Sequence, residues 1–141
     1  MLERIDVLNN TRPVCETRGS ALENVIEINR KKVFGLRDAR ALLPVIYRFT
    51  EEASREVRLQ INRIDAYADK GHPSVALIEA EINVVIQRWQ DKIEKLGGHP
   101  KGLWMADFDN GSGYYCWKFP ENEINHWHGY QDGFSGRIVI E

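Results

Sequence analysis

From Leu36 onward, apolar side chains at Leu36, Ala39, Leu43, Ile46, Ala53, Val57, Ile61, Ile64 and Ala68 recur at intervals of mostly three and four. That spacing lines one face of a long helix and predicts a helix from 36 to about 69. Pro44 lies inside it and has no amide hydrogen to bond the Arg40 carbonyl, so a kink is expected there in preference to a restart of the helix. Gly71-His72-Pro73-Ser74 then joins a glycine stop to a proline start. Val75, Ile78, Ile82, Val85, Trp89 and Leu96, with Ile86 and Ile93 beside them, repeat in a seven-residue pattern up to Gly97-Gly98. They predict a second helix, 74–96, antiparallel to the first. Two helices alone leave much of each apolar stripe in water, so another layer has to cover them.

The pattern changes after Pro100, where nine of the fourteen aromatic residues lie. Strand-like runs Leu103–Phe108 and Tyr114–Phe119 flank Asp109-Asn110-Gly111-Ser112-Gly113, which is hairpin turn chemistry. Pro120-Glu121-Asn122-Glu123 reads as a helix start, with Ile124, Trp127 and His128 on one face of a short helix. Ile138-Val139-Ile140 reads as a third strand. Residues 1–32 carry weak periodicity, a Thr11-Arg12-Pro13 break and Arg18-Gly19-Ser20, and are expected to form a weakly structured arm with at most one strand, Val25–Ile28. The predicted fold class is α+β. A long antiparallel helical hairpin, 36–96, packs on a small antiparallel β-sheet with a short C-terminal helix, in one domain spanning 33–141 whose last part, 101–141, holds the β-hairpin and the aromatic segment.

Composition narrows the function classes. A chain of 141 residues with 43% apolar and 28% charged residues supports one core. A net charge of −2 gives no overall field toward nucleic acid or anionic membrane. Arg37, Arg40, Arg48, Arg55 and Arg58 are interleaved with Asp38, Glu51, Glu52 and Glu56, the pattern of a solvated, salt-bridged helix face, so no nucleic-acid partner is expected. No apolar run approaches the ~20 residues of a membrane span and MLERIDVLNN has no apolar signal core, so a cytoplasmic protein without membrane association is expected. Cys15 and Cys116 make no disulfide framework.

Within residues 101–137 stand Gly102-Leu103, Asp107-Phe108, Cys116-Trp117-Lys118, Glu121 and Glu123 before Ile124, Trp127-His128, Gly133-Phe134 and Gly136-Arg137. This string resembles the C-terminal signature of the bacterial family named domain of unknown function 2203. Phe34 to Pro44, with Ala39 and Leu42-Leu43-Pro44, is similar to the start of that family's first helix, so the resemblance covers roughly 33–141. Gly35 departs from the capping hydroxyl residue the family often has there. The resemblance implies a small α+β bacterial protein and brings no reaction, cofactor or catalytic residue with it.

Three constellations carry candidate chemistry. Asp107, Cys116, His126 and His128 are metal-compatible side chains in one short region, without any C-x-x-C or H-x3-H pair. The two histidines share a face only on a strand, since on a helix they diverge by about 200°. Cys116 is also a candidate nucleophile, activated by His126 or His128 and oriented by Asp107. Its surroundings depend on register: pairing 108 with 114 sets it beside Trp104, Phe108 and Lys118, whereas pairing 108 with 115 sets it with Met105 and Asp107. Finally, Asp107, Cys116, Trp117, Lys118, Trp127, His128 and Arg137 are candidate ligand-binding residues, either as a pocket or as the core between sheet and helices. Arg137 between glycine turns offers a fork suited to a small anion, or a pair for Glu121, Glu123 or Asp132. These features lead to a non-enzymatic protein-interaction or small-ligand-binding domain, without a cofactor. It is expected to form a homodimer through its helices because the covering layer is short. The alternative is a hydrolase-type enzyme using Cys116 or a metal bound by His126, His128 and Asp107.

Overall fold

A computed structural model describes residues 32–140, so the expected arm, apart from Lys32, and its strand at 25–28 lie outside the described residues. Leu36–Asp65 form helix α1 and Pro73–Lys95 form helix α2. α1 runs on through Pro44 and stops four residues short of the expected end. The Lys70 ammonium caps that end, donating to the Ile64 and Asp65 carbonyls at 3.0 and 3.2 Å. Pro73 occupies the first turn of α2, and His72 caps it by accepting the Ser74 N–H on Nδ1 at 3.0 Å. At the other end Gly97 adopts φ +95°, and the Gly97 and Gly98 amides bond back to Glu94 and Ile93 at 2.9 and 3.0 Å. That is the doubled hydrogen-bond closure which glycine makes accessible.

Five strands follow: β1 His99–Pro100, β2 Met105–Asp109, β3 Tyr114–Lys118, β4 His126–His128 and β5 Ile138–Val139. They form one antiparallel sheet in chain order. The α+β class and the hairpin-on-sheet arrangement therefore stand, but the last forty residues need a correction. Residues 126–128, expected on a short helix, are a strand, and the short helical element is a 3-10 turn at Phe134–Gly136. Tertiary partners decide this. Ile124 is fully buried against the α1 side of the core, Arg40 donates to the Ile124 carbonyl at 3.2 Å and to Asn125 Oδ1 at 2.9 Å, and β3 takes up the backbone of 126–128.

Alternation gives the sheet two faces of different character. Ala106, Phe108 and Trp117 are fully buried against Ala39, Leu43, Ile46, Trp89 and Ile93 of the helices. The distal half of the hairpin closes on itself through Val57, Ile64, Val75, Ile78, Ile82, Val85 and Ile86. Between the two clusters Trp89 donates its indole N–H to the buried Thr50 hydroxyl at 2.7 Å and meets Trp104 edge-on at 5.0 Å. Phe34 ties the chain before α1 to the sheet, through its N–H to the Asp109 carbonyl at 2.7 Å and an edge contact with Phe108. No helix among the described residues is long and apolar enough to cross a membrane.

Candidate functional site

The opposite face of the sheet, turned away from the helices, carries the chemistry. The β2–β3 hairpin sets Phe108 opposite Tyr115, so Asp107 lies directly across from Cys116, and Cys116 across from His126. Of the two registers open in the sequence, this is the one that joins Asp107 to the thiol. The turn fixes it: the Asn110 side-chain oxygen accepts from the Ser112 and Gly113 amides at 2.9 and 2.8 Å, and Gly111 takes φ +95°. His128, across from Tyr114, projects from β4 onto the same face as Cys116.

Residues 129–136 fold back over this face and leave a cavity of about 300 Å³ between themselves and the sheet, with Asp107, Cys116 and His128 in its lining. These three side chains belong to residues only 3%, 1% and 4% exposed, so the sheet's outer face is no ordinary wet surface here. Their metal-compatible atoms all lie within 4.8 Å of one another. His128 Nε2 is 3.2 Å from Asp107 Oδ2, and its Nδ1 is 2.9 Å from the Gly129 carbonyl. A carbonyl only accepts, so Nδ1 carries a hydrogen and Nε2 is the nitrogen presented to the carboxylate. Burial, followed by the charge and hydrogen bond of Asp107, pushes the Cys116 thiol up to about 12 against the opposing pull of Arg137. At neutral pH the group is a thiol.

Arg137 closes the arrangement from the side. Its guanidinium makes a two-point contact with Glu121, at 3.1 Å to Oε1 and 2.6 Å to Oε2. It also stacks under Phe134, 4.2 Å from the ring centroid, with the Lys118 ammonium 5.1 Å from the same ring. Glu121 Oε1 further accepts the Lys118 amide at 2.9 Å. Burial alone would raise the Glu121 carboxyl; the Arg137 hydrogen bonds and the Lys118 N–H outweigh it and hold the group below the usual carboxylate range. At the mouth Tyr130 donates to Asp109 Oδ1 at 2.6 Å and meets Tyr114 edge-on. That hydrogen bond is the main reason its hydroxyl is raised to about 12.

Of the residues singled out from sequence, the structure brings Asp107, Cys116 and His128 together, with Arg137 beside the thiol and bonded to Glu121. His126 shares their face but leans toward Glu121, 4.0 Å from Nδ1 to Oε2. Trp117 points the other way, into the core, where its indole N–H donates to the Glu121 carbonyl at 2.8 Å. Trp127 shares that helix-side face by alternation, and Lys118 is exposed at the strand end. Sequence reasoning missed Lys101 and Tyr114 in the cavity wall. The period-two step from Cys116 back to Tyr114 was the available signal for the second. A larger groove of about 700 Å³ runs between α1 and residues 122–125, but Arg40 is spent on that segment's backbone and side chain, and no buried titratable group lines it.

The family described as "Uncharacterized conserved protein (DUF2203)" matches residues 32–140. The chain belongs to this family. Comparisons with curated proteins and with solved structures found no match. Within the matched range, Asp107, Cys116, Glu121, His128, Phe134 and Arg137 come from separate stretches of sequence and gather around one cavity and its side wall.

Proposed function

We propose that the protein is a small-ligand-binding domain whose site is the roofed cavity on the outer face of the sheet. One observation carries the reading: a carboxylate, a thiol and an imidazole, each more than nine-tenths buried, converge on the floor of a cavity of about 300 Å³. Apolar residues would stabilise such a layer at least as well as a buried ionisable pair, so stability alone does not account for the cluster. A few convergent polar groups in an aromatic-walled concavity are the usual anatomy of a small-molecule site. The volume suits a small polar molecule, to which the wall offers the Lys101 ammonium for an anionic group beside the carboxylates of Asp107 and Asp132. Arg137 is not the free anion fork that the sequence offered, because Glu121 already occupies it. The protonated state of Cys116 weighs against its use as a resting nucleophile. Homodimer formation draws support from exposed apolar side chains on both helices, Val45, Leu59, Leu77 and Val84, and light scattering tests it.

Backbone amide NMR with small carboxylates and inorganic phosphate at millimolar concentration tests the ligand reading. Saturable shifts confined to residues around Asp107, Cys116, His128 and Tyr130, lost in Tyr130→Ala, are the expected result. Shifts scattered over the surface, or none, would overturn it.

A further inference from the structure

We infer that Asp107, Cys116 and His128 are three protein ligands of a divalent transition-metal ion of the zinc class, whose fourth position opens into the cavity. The inference deepens the small-ligand reading, since an anionic or neutral donor entering the cavity would complete the coordination.

The donor set fits the ion. A thiolate sulfur, an imidazole nitrogen and a carboxylate oxygen are the three ligand types that zinc takes, and three of them with an open position is the pattern of non-structural sites. Bonds of about 2.0–2.3 Å in a tetrahedron separate neighbouring donors by roughly 3.3–3.8 Å. The His128 Nε2 to Asp107 Oδ2 distance of 3.2 Å is already near that range, and no pair of the three exceeds 4.8 Å. A displacement of about an ångström brings the widest pair into that range.

The surroundings fit it as well. His128 donates its Nδ1 hydrogen to the Gly129 carbonyl, which leaves Nε2 as the coordinating nitrogen and fixes the ring's direction, the arrangement that supports metal-bound histidines. Among the described residues, Asp107 has no lysine or arginine at ion-pair distance; the side chain facing it is the His128 imidazole, 3.2 Å away. A divalent ion balances the Asp107 carboxylate together with a Cys116 thiolate, and the proton displaced from the thiol leaves to solvent. Arg137, held by Glu121, exerts a positive field on the sulfur that lowers the thiol's pKa, an outer-shell influence that favours a coordinated thiolate. An imidazolium–carboxylate pair between His128 and Asp107 would account for two of the three groups without a metal and would leave the placement of Cys116 against both without a role.

The test uses the full chain stripped with a chelator and titrated with Co²⁺ and Zn²⁺. The expected result is one equivalent of Co²⁺ with a thiolate-to-cobalt charge-transfer band and the intense visible bands of a four-coordinate ion, displaced by Zn²⁺. Cys116→Ser removes the charge-transfer band, and Cys116→Ser, Asp107→Asn and His128→Ala each weaken binding more than about 100-fold, beyond the usual loss for outer-shell changes. His126→Ala retains the band. In the unsubstituted chain, which needs no variant to fold, Zn²⁺ shifts the His128 Nε2 resonance and leaves that of His126 in place. Absence of a stoichiometric cobalt band, or a band that survives Cys116→Ser, would overturn the site. A cobalt band without any response to added acetate supports the metal site and removes the small-ligand reading; a response of the stripped protein to acetate without a cobalt band does the reverse.

Discussion

Replacing Arg137 by alanine separates a strut from a free ligand-binding fork. The substitution deletes two charge-assisted hydrogen bonds to Glu121, at 3.1 and 2.6 Å, and the stack under Phe134 that holds the roof segment to the sheet. The Arg137 and Glu121 side chains keep 16% and 26% of their surface exposed. The pair therefore lies between an exposed pair, worth up to about 1 kcal/mol, and a fully buried one whose disruption costs about 3–5 kcal/mol. A loss of about 2 kcal/mol is expected, or roughly 8 °C in Tm for a domain of this size. Urea unfolding at pH 7 measures it, and Arg137→Lys, which keeps the charge but not the fork, falls between the two. The effect has a defined pH dependence. Glu121 is held below its ordinary value of 4.5 in the folded state, so the unfolded chain binds its proton more readily. The contribution is complete above about pH 5 and is lost as pH falls through the folded value. The gap between the unsubstituted chain and Arg137→Ala is therefore constant from pH 7 to about 5 and narrows below about 4.5. A loss under about 0.5 kcal/mol at pH 7, or a gap that persists unchanged at pH 3, would refute the strut.

Three further outcomes follow from the packing. Thr50→Val leaves the buried Trp89 indole N–H without its 2.7 Å acceptor and should cost about 1–3 kcal/mol by calorimetry, with tryptophan fluorescence reporting the changed environment. Gly97→Ala forces a side chain into φ +95° and brings its Cβ to 2.6 Å from Lys32 Cδ and 3.1 Å from Phe34 Cζ, so a loss of about 1–2 kcal/mol is expected in urea unfolding. Ile82→Ala, in the fully buried seam of the hairpin, should cost about 2–5 kcal/mol, whereas Leu77→Ala, 67% exposed, should change stability by less than about 0.5 kcal/mol; equal effects in parallel thermal melts would contradict the assigned helix faces.

The helical half of the fold was legible because its signal is local. Ile78, Ile82, Val85, Trp89 and Ile93 fall on one stripe by spacing alone, and that stripe is buried. The Asn110–Gly113 turn and the strands beside it were equally readable, since turn chemistry and period-two patterning act within a few residues. The segment after Pro120 was not. Acidic residues after a proline carry a real helix-start preference, but Ile124 in the core, the Arg40 bonds to 124 and 125, and the open edge of β3 outweigh a preference worth a few tenths of a kcal/mol per residue. Register was undecided for a different reason. Tyr114 and Tyr115 are adjacent and alike, so alternation does not say which faces the core, and the hydrogen bonds of the Asn110 side chain make that choice. The identity of the polar residues in the site, Asp107, Cys116, His128 and Arg137, was thus present in the sequence as a set of reactive side chains. Their meeting was not, because it depends on three strands in one register, with the loop 129–136 folded over them, and distances across a sheet are set by pairing between segments that no local spacing encodes.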